Sequence, residues 1–372
     1  MALINEIEAM RKEIRTDAYP MSVGEMISLY QSGELDIHPE FQRFFRWSPE
    51  QKSNLIESIL LGIPIPAVFV SQRAVDSVWD VVDGLQRLST IFEFLGILKD
   101  EDGKALPPLV LERTKYLPSL QSITWDAQHG SNALPAELKI LFKRSKLQVS
   151  ILLRESDDFA KFELFQRLNR GGAQLSDQEM RNCILVSVDK SAFLRLKDLV
   201  TDAGFQGTLS LTDQAIEQQY DFELVLRFLL LSTMNTGDFP SAFDVADLLT
   251  EKMVQSAKAN TLVSDDQVKR FRGVFASISV ALGDDAFRRR NPGTLNPSGG
   301  FSLAVFETIA CGLGYSFPRL PTSADFHPII AEIWADQRFR DYSKSGVRAS
   351  SRLPKLLPLG REIMAKYAKD AV

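Results

Sequence analysis

The sequence predicts an α+β domain followed by an all-helical domain. Two observations carry that division. Short apolar, β-branched runs at Ala67 to Val70, Val78 to Val82 and Leu147 to Leu153 are confined to the first half of the chain. Beyond about Val188 the strand signals fade, and apolar residues recur at helical spacing in one long segment after another. The expected domains are therefore residues 1–187 and 188–372, and a length of 372 residues suits two domains.

Each element follows from local chemistry. Asn5 to Arg15 is a polar lead-in helix. Ser22 can cap a second helix through Tyr30, which Gly33 ends, and Leu35 to Ile37 suits a short strand. Ser48-Pro49-Glu50-Gln51 is a strong helix start, with a cap, a first-turn proline and a capping-box glutamine. That helix carries Leu55, Ile56, Ile59 and Leu60 and stops at Gly62; Ile63-Pro-Ile-Pro66 then forces an extended entry to the next strand. The span from 107 to 135 is weakly periodic and gives no assignment. Asp157-Asp158 opens a helix from Phe159 to Leu168, and Ser176-Asp-Gln-Glu179 is a second capping box for a helix through Ile184. The later helical segments are Tyr220 to Met234, Phe243 to Ala259, Ser264 to Leu282, Phe301 to Leu313, Ala324 to Phe339 and Val347 to Tyr367. A Pro- and Gly-rich break, Arg290 to Gly300, interrupts them.

Bulk properties narrow the function. A net charge of -5 argues against a wholly basic nucleic-acid binder, so any DNA contact needs a local basic patch. Cys183 and Cys311 lie in apolar helical contexts, as buried thiols in a reducing compartment do. The acidic, amphipathic start is unlike a secretory leader, and no apolar run approaches the ~20 residues that span a bilayer. A cytoplasmic protein with no membrane partner is expected.

The stretch from Val78 to Leu95 organises the first domain. The apolar run breaks at Asp83-Gly84, and Leu85, Leu88, Ile91, Phe92 and Leu95 then fall at helical intervals. A strand, a tight turn and a helix N-terminus thus bring free N–H groups beside Asp83, Gln86 and Arg87, a geometry suited to an anion. Asp83 can hold a sugar hydroxyl or a metal, or cap the helix, and an ordinary capped turn is the alternative. Two further groupings, Gln42-Arg43 and Asn169-Arg170-Gly171-Gly172, also lie at junctions between elements. Together the three groupings can clamp phosphates through guanidinium forks and backbone amides.

Pro39 to Trp47, Leu55 to Pro66, Val82-Asp-Gly-Leu-Gln-Arg-Leu-Ser-Thr90, and Phe165 to Gly172 with Leu175-Ser176 resemble, in order, the motifs of the GmrSD restriction-endonuclease N-terminal domain family. The resemblance covers roughly Ser22 to Ile184. The family hallmark is Asp-Gly-Gln-Gln-Arg; here Leu85 stands for the first Gln, while Asp83, Gly84, Gln86 and Arg87 match. The resemblance implies a ParB/sulfiredoxin-like mixed-sheet fold with nucleotide binding or hydrolysis, in systems that restrict foreign DNA. It places Asp83, Gly84, Gln86 and Arg87 at the centre of the site, with Gln42, Arg43, Asn169 and Arg170 around it. The implied cofactors are an NTP of unspecified base and Mg2+, with Asp83 as metal ligand and Asp83 and Arg87 as the catalytic pair of an NTPase. The partners implied are DNA, met directly or through a partner, and a nuclease subunit.

Many relatives carry an HNH nuclease half, which needs clustered His and Asn ligands. Here His38, His129 and His327 are widely separated, so no such half is expected. Basic clusters at Lys143 to Lys146, at Arg288, Arg289 and Arg290, and from Arg338 through Arg348 and Arg352 to Lys355 are candidate DNA contacts. Two alternatives stay open: a non-enzymatic DNA- or protein-binding module on the same fold, and a weak ParB-like metal-dependent nuclease.

Overall fold

The computed structural model describes residues 16–37, 47–73, 76–100, 103–127, 132–153, 176–240, 243–291 and 293–368. The expected helices at 5–15 and 159–168, and the candidate residues Gln42, Arg43, Asn169 and Arg170, lie outside them. Two compact units divide the chain, residues 1–174 and 175–372.

In unit 1 the strands are β1 (Thr16–Ser22), β2 (Leu35–Asp36), β3 (Val68–Gln72), β4 (Trp79–Asp83), β5 (Ile123–Thr124), β6 (Asn132–Ala133) and β7 (Lys146–Leu152). The helices are α1 (Val23–Ser32), α2 (Pro49–Leu61), α3 (Leu85–Phe94) and α4 (Ala136–Arg144). Five strands form one mixed sheet in the order β1-β7-β3-β4-β2, and β5 and β6 pair separately. At the sheet's centre Val68 lies opposite Val149 and Val70 opposite Ile151 in parallel register. These four residues are buried with Ile56 and Ile59 of α2 and Leu88, Ile91, Phe92 and Phe94 of α3. Each such side chain stabilises the fold by about 1.5–3 kcal/mol on burial.

The caps are where the side-chain chemistry predicts them. Ser22 accepts from the Glu25 N–H, Ser48 and Gln51 complete a capping box, and Gly33 and Gly62 close their helices at φ 79° and 69°. Strand β1 is not predicted by sequence, because Pro20 argues against a central strand. It is tolerated here because β1 is an edge, where a missing N–H need break no ladder bond. Most of the span from 107 to 135 is irregular. Side chains of α2 hold it: Ser53 Oγ accepts from the Glu112 N–H at 2.9 Å, and Glu57 Oε1 from the N–H groups of Tyr116 and Leu117 at 2.9 and 2.8 Å.

Unit 2 is mostly helical. Its helices are α5 (Asp177–Val188), α6 (Lys190–Val200), α7 (Ala203–Gln206), α8 (Asp213–Glu217), α9 (Tyr220–Leu231), α10 (Val245–Lys258), α11 (Asp265–Leu282), α12 (Leu303–Ser316), α13 (Phe326–Ala335), α14 (Gln337–Tyr342) and α15 (Ala349–Tyr367). The expected single helix from Ala324 to Phe339 is divided at Asp336, which caps α14 by accepting from the Arg338 N–H. The Pro- and Gly-rich break holds a two-stranded antiparallel hairpin of β8 (Arg288–Arg290) and β9 (Pro297–Phe301). Phe205, Phe228, Phe271, Phe275, Phe287 and Phe306 are fully buried and interlock as the aromatic core.

Helix α15 contains Pro354 and Pro358. Each interior proline costs about 3 kcal/mol of helix propensity. Burial of Leu353, Leu356, Leu357, Leu359, Ile363 and Met364, at roughly 1.5–3 kcal/mol each, outweighs that cost. Helix α15 meets α12 backbone to backbone. A Cβ on Gly360 would overlap the Thr308 carbonyl, and one on Gly312 would lie 3.0 Å from the Gly360 carbonyl oxygen.

Candidate functional site

Strand β4 runs one residue further than the apolar pattern suggests, so Asp83 is its last member. Gly84 follows at φ 97°, a conformation that costs glycine little. A Cβ there would also sit 3.0 Å from Val68 Cγ2 and 3.1 Å from Arg87 Nη2. Glycine is therefore required both by backbone angle and by space. Gly84 is the N-cap of α3; no side chain caps that helix, and its first turn holds no acid. The N-terminal end of the helix dipole is left without a counter-charge from its own first turn.

Asp83 does not cap α3. Its Oδ2 instead accepts from Arg87 Nη2 at 2.5 Å, one helical turn on. The same Nη2 donates to the Ala67 carbonyl at 3.1 Å, and Arg87 Nε is buried without a partner. The Arg87 side chain is 12% exposed and that of Asp83 43%. The cation is thus set beneath the turn while the carboxylate opens to solvent.

Three of the sequence motifs meet here. Gln86 Oε1 accepts from the Trp47 N–H at 3.1 Å, which ties the end of the first motif to the turn. Ala67 directly follows the Ile-Pro-Ile-Pro segment of the second. Leu85, the departure from the hallmark, packs against the apolar core of unit 1. Its side chain is used as a hydrophobic anchor.

Sequence reasoning missed two polar anchors elsewhere in unit 1, with Arg73 at the opposite end of β4 from Asp83. Glu57 is buried. Burial pushes its carboxyl up, but hydrogen bonds from Thr114 and from the Leu117 and Tyr116 N–H groups outweigh that and hold it below the usual glutamate value. Arg73 follows β3 and bridges two strands, its Nη2 2.7 Å from Asp36 and 2.6 Å from Asp80. Burial alone would lower the Arg73 pKa; hydrogen bonds and charge from Asp80 and Asp36 raise it instead. The signal available in sequence was an isolated arginine amid aspartates, which is common on any surface.

Among the described residues no cluster of three His, Cys, Asp or Glu stands ready for a metal. The donor set at the turn fits a Mg2+ held mainly by phosphate oxygens and water, with Asp83 as its one carboxylate, a common arrangement for that ion. No described helix is long and apolar enough to cross a membrane.

The arginines proposed to touch DNA divide. Arg288 donates to the Gly299 carbonyl and to Asp285, and Arg290 to the Leu295 and Asp285 carbonyls, so both brace the hairpin. Arg289 and Arg348 are exposed. Much of the C-terminal basic cluster is neutralised: Arg338 pairs with Asp336 and Glu362, Lys344 with Asp341, and Arg352 with Glu307. His327 is exposed on α13.

A mixed-sheet α+β domain with a glycine-hinged, arginine-bearing strand-to-helix turn is the class that fold and site define. Residues 23–186 match the family model for the GmrSD restriction endonuclease N-terminal domain, and this part of the chain belongs to that family. The match runs from the first helix of unit 1 to the first helix of unit 2. No curated protein and no solved structure matches the chain.

Proposed function

We propose that unit 1 is a ParB/sulfiredoxin-like nucleotide-binding domain and that the chain is a nucleotide-responsive component of a DNA restriction or phage-defence system. Membership of residues 23–186 in the GmrSD family supports the restriction setting. The observation that carries the nucleotide reading is the turn itself. The uncapped N-terminus of α3, the half-buried Arg87 and the open carboxylate of Asp83 lie within five residues of one another. Phosphate oxygens suit the amides and the guanidinium, while Asp83 suits a ribose hydroxyl or a phosphate-bound Mg2+. For hydrolysis, Arg87 would neutralise charge developing on the transferred phosphoryl group.

One observation favours a second reading, binding without turnover. Arg87 already spends its Nη2 on Asp83 and Ala67. Nucleotide binding then needs no metal, and the Asp83–Arg87 pair acts as a latch. The experiment is calorimetry with ATP and GTP, with and without Mg2+, on wild type and Arg87→Ala, beside a phosphate-release assay with and without DNA. The expected result is binding that Arg87→Ala abolishes in a folded protein. Equal affinity in the variant rejects the site; binding without phosphate release selects the second reading.

A further inference from the structure

Unit 2 holds a cavity of about 550 Å3, within the range of small-molecule sites. It is lined by Asp177 and Arg181 of α5, Glu223 and Arg227 of α9, the start of α10, and Arg348, Ala349 and Ser350 at the start of α15. Its floor is a chain of buried charges. Arg181 Nη2 meets Glu223 Oε2 at 2.7 Å, Arg227 Nη2 meets Glu223 Oε1 at 2.7 Å, Arg227 Nη1 meets Glu307 Oε1 at 2.9 Å, and Arg352 Nε meets Glu307 Oε2 at 2.8 Å. Three arginines share two glutamates in this network, and the further carboxylate acting on Arg181 is the exposed Asp177.

Arg181 has spare hydrogen-bonding capacity at the cavity. Arg181 is 1% exposed. Its Nε donates to Gln178 and its Nη2 to Glu223, while its Nη1 makes no hydrogen bond to any described residue. The start of α15 adds a second, independent feature. Its N-cap is Arg348, no side chain caps it and its first turn holds no acid. The N–H groups of Ala349 and Ser350 make no hydrogen bond to a described residue. By contrast α5 is capped by Ser176 and α10 by Asp244. A buried, half-used guanidinium, an exposed arginine and two open amides therefore surround one volume. Two exposed acids, Asp177 and Asp244, complete the lining, with Asp244 Oδ1 taken by the Ala246 N–H. Next to an anion subsite, such carboxylates suit hydroxyl donors.

We propose that this cavity binds a small phosphorylated sugar, the phosphate on Arg181, Arg348 and the α15 amides and the sugar hydroxyls on Asp177 and Asp244. The site is separate from the Asp83–Arg87 turn and stands without it.

The test is calorimetry of the full chain with ribose 5-phosphate, ribose and inorganic phosphate as probes. Ribose 5-phosphate is expected to bind at one site, inorganic phosphate more weakly and ribose not at all. Arg348→Ala is expected to weaken ribose 5-phosphate binding at least about tenfold, as loss of one charge-assisted hydrogen bond implies. Ala349→Pro removes one amide where proline is tolerated, in the first turn after an extended residue, and is expected to act similarly with the fold intact by circular dichroism. Arg195→Ala, an exposed arginine that does not line the cavity, serves as the control and should leave this affinity unchanged, and Arg87→Ala is measured beside it to detect binding at the unit 1 turn. Absence of binding, unchanged affinity in both cavity variants, or loss confined to Arg87→Ala overturns the proposal; equal binding of inorganic phosphate and ribose 5-phosphate overturns its sugar half.

Discussion

Two acid–arginine pairs at i,i+4 spacing stand in very different surroundings. Asp83–Arg87 lies at the end of a strand with its carboxylate 43% exposed. Glu223–Arg227 lies in a helix with both side chains largely buried, and it continues through Glu307, which is fully buried, to Arg352. The first pair can open on its carboxylate side, because Asp83 faces solvent and the largely buried Arg87 keeps the Ala67 carbonyl. The second cannot, because each glutamate is shared between two arginines. The same chemistry thus gives a solvent-open pair in one unit and a buried, shared one in the other. What separates them is burial and sharing, not residue type.

The contrast can be broken most sharply at Glu307. Replacing it with Gln leaves Arg352 without its carboxylate and Arg227 with Glu223 alone, and should cost about 3–5 kcal/mol, read from urea unfolding. A loss below about 1 kcal/mol would make the buried network energetically no different from a surface pair. Next comes Gly84→Ala. Forcing φ 97° on alanine while crowding Val68 and Arg87 should cost roughly 1–3 kcal/mol and abolish nucleotide binding. Asp83→Asn should then cost less stability than Glu307→Gln, because the lost carboxylate is open to solvent and Arg87 keeps the Ala67 carbonyl, while lowering nucleotide affinity. A large stability loss there would show that the open pair is structural too.

The smallest effect concerns acid. The folded Glu57 carboxyl binds its proton more weakly than the unfolded one, because its hydrogen bonds favour the charged form. Its contribution is therefore fully present above the ordinary glutamate value near ~4.3 and is lost as pH falls through the folded value. Glu57→Gln should flatten the acid limb of a stability–pH curve measured between about pH 5 and 2. An unchanged limb would assign the acid sensitivity to other carboxylates.

Sequence was a good guide where chemistry is local. The capping boxes at Ser48 and Ser176 and the glycine stops at Gly33 and Gly62 are set by residues within four positions of each other. The strand-to-helix turn at Asp83-Gly84 was legible for the same reason, whereas the pairing of Asp83 with Arg87 in place of a cap was not. The buried network was not: Arg181 and Glu223 are 42 residues apart, Arg227 and Glu307 80, and Arg352 and Glu307 45, and no periodicity announces such pairings. Strand β1 was hidden by Pro20, and the β8–β9 hairpin by arginines, glycines and prolines that a strand seldom carries. The bonds that hold Arg288 and Arg290 there run to backbone carbonyls, which no sequence pattern displays.

Trp47 is one of only four tryptophans, and its amide rests on Gln86 at the candidate turn. An indole so placed is a natural optical reporter: occupancy of the turn can be followed by emission from the unlabelled protein, with Trp47→Phe identifying which of the four rings responds.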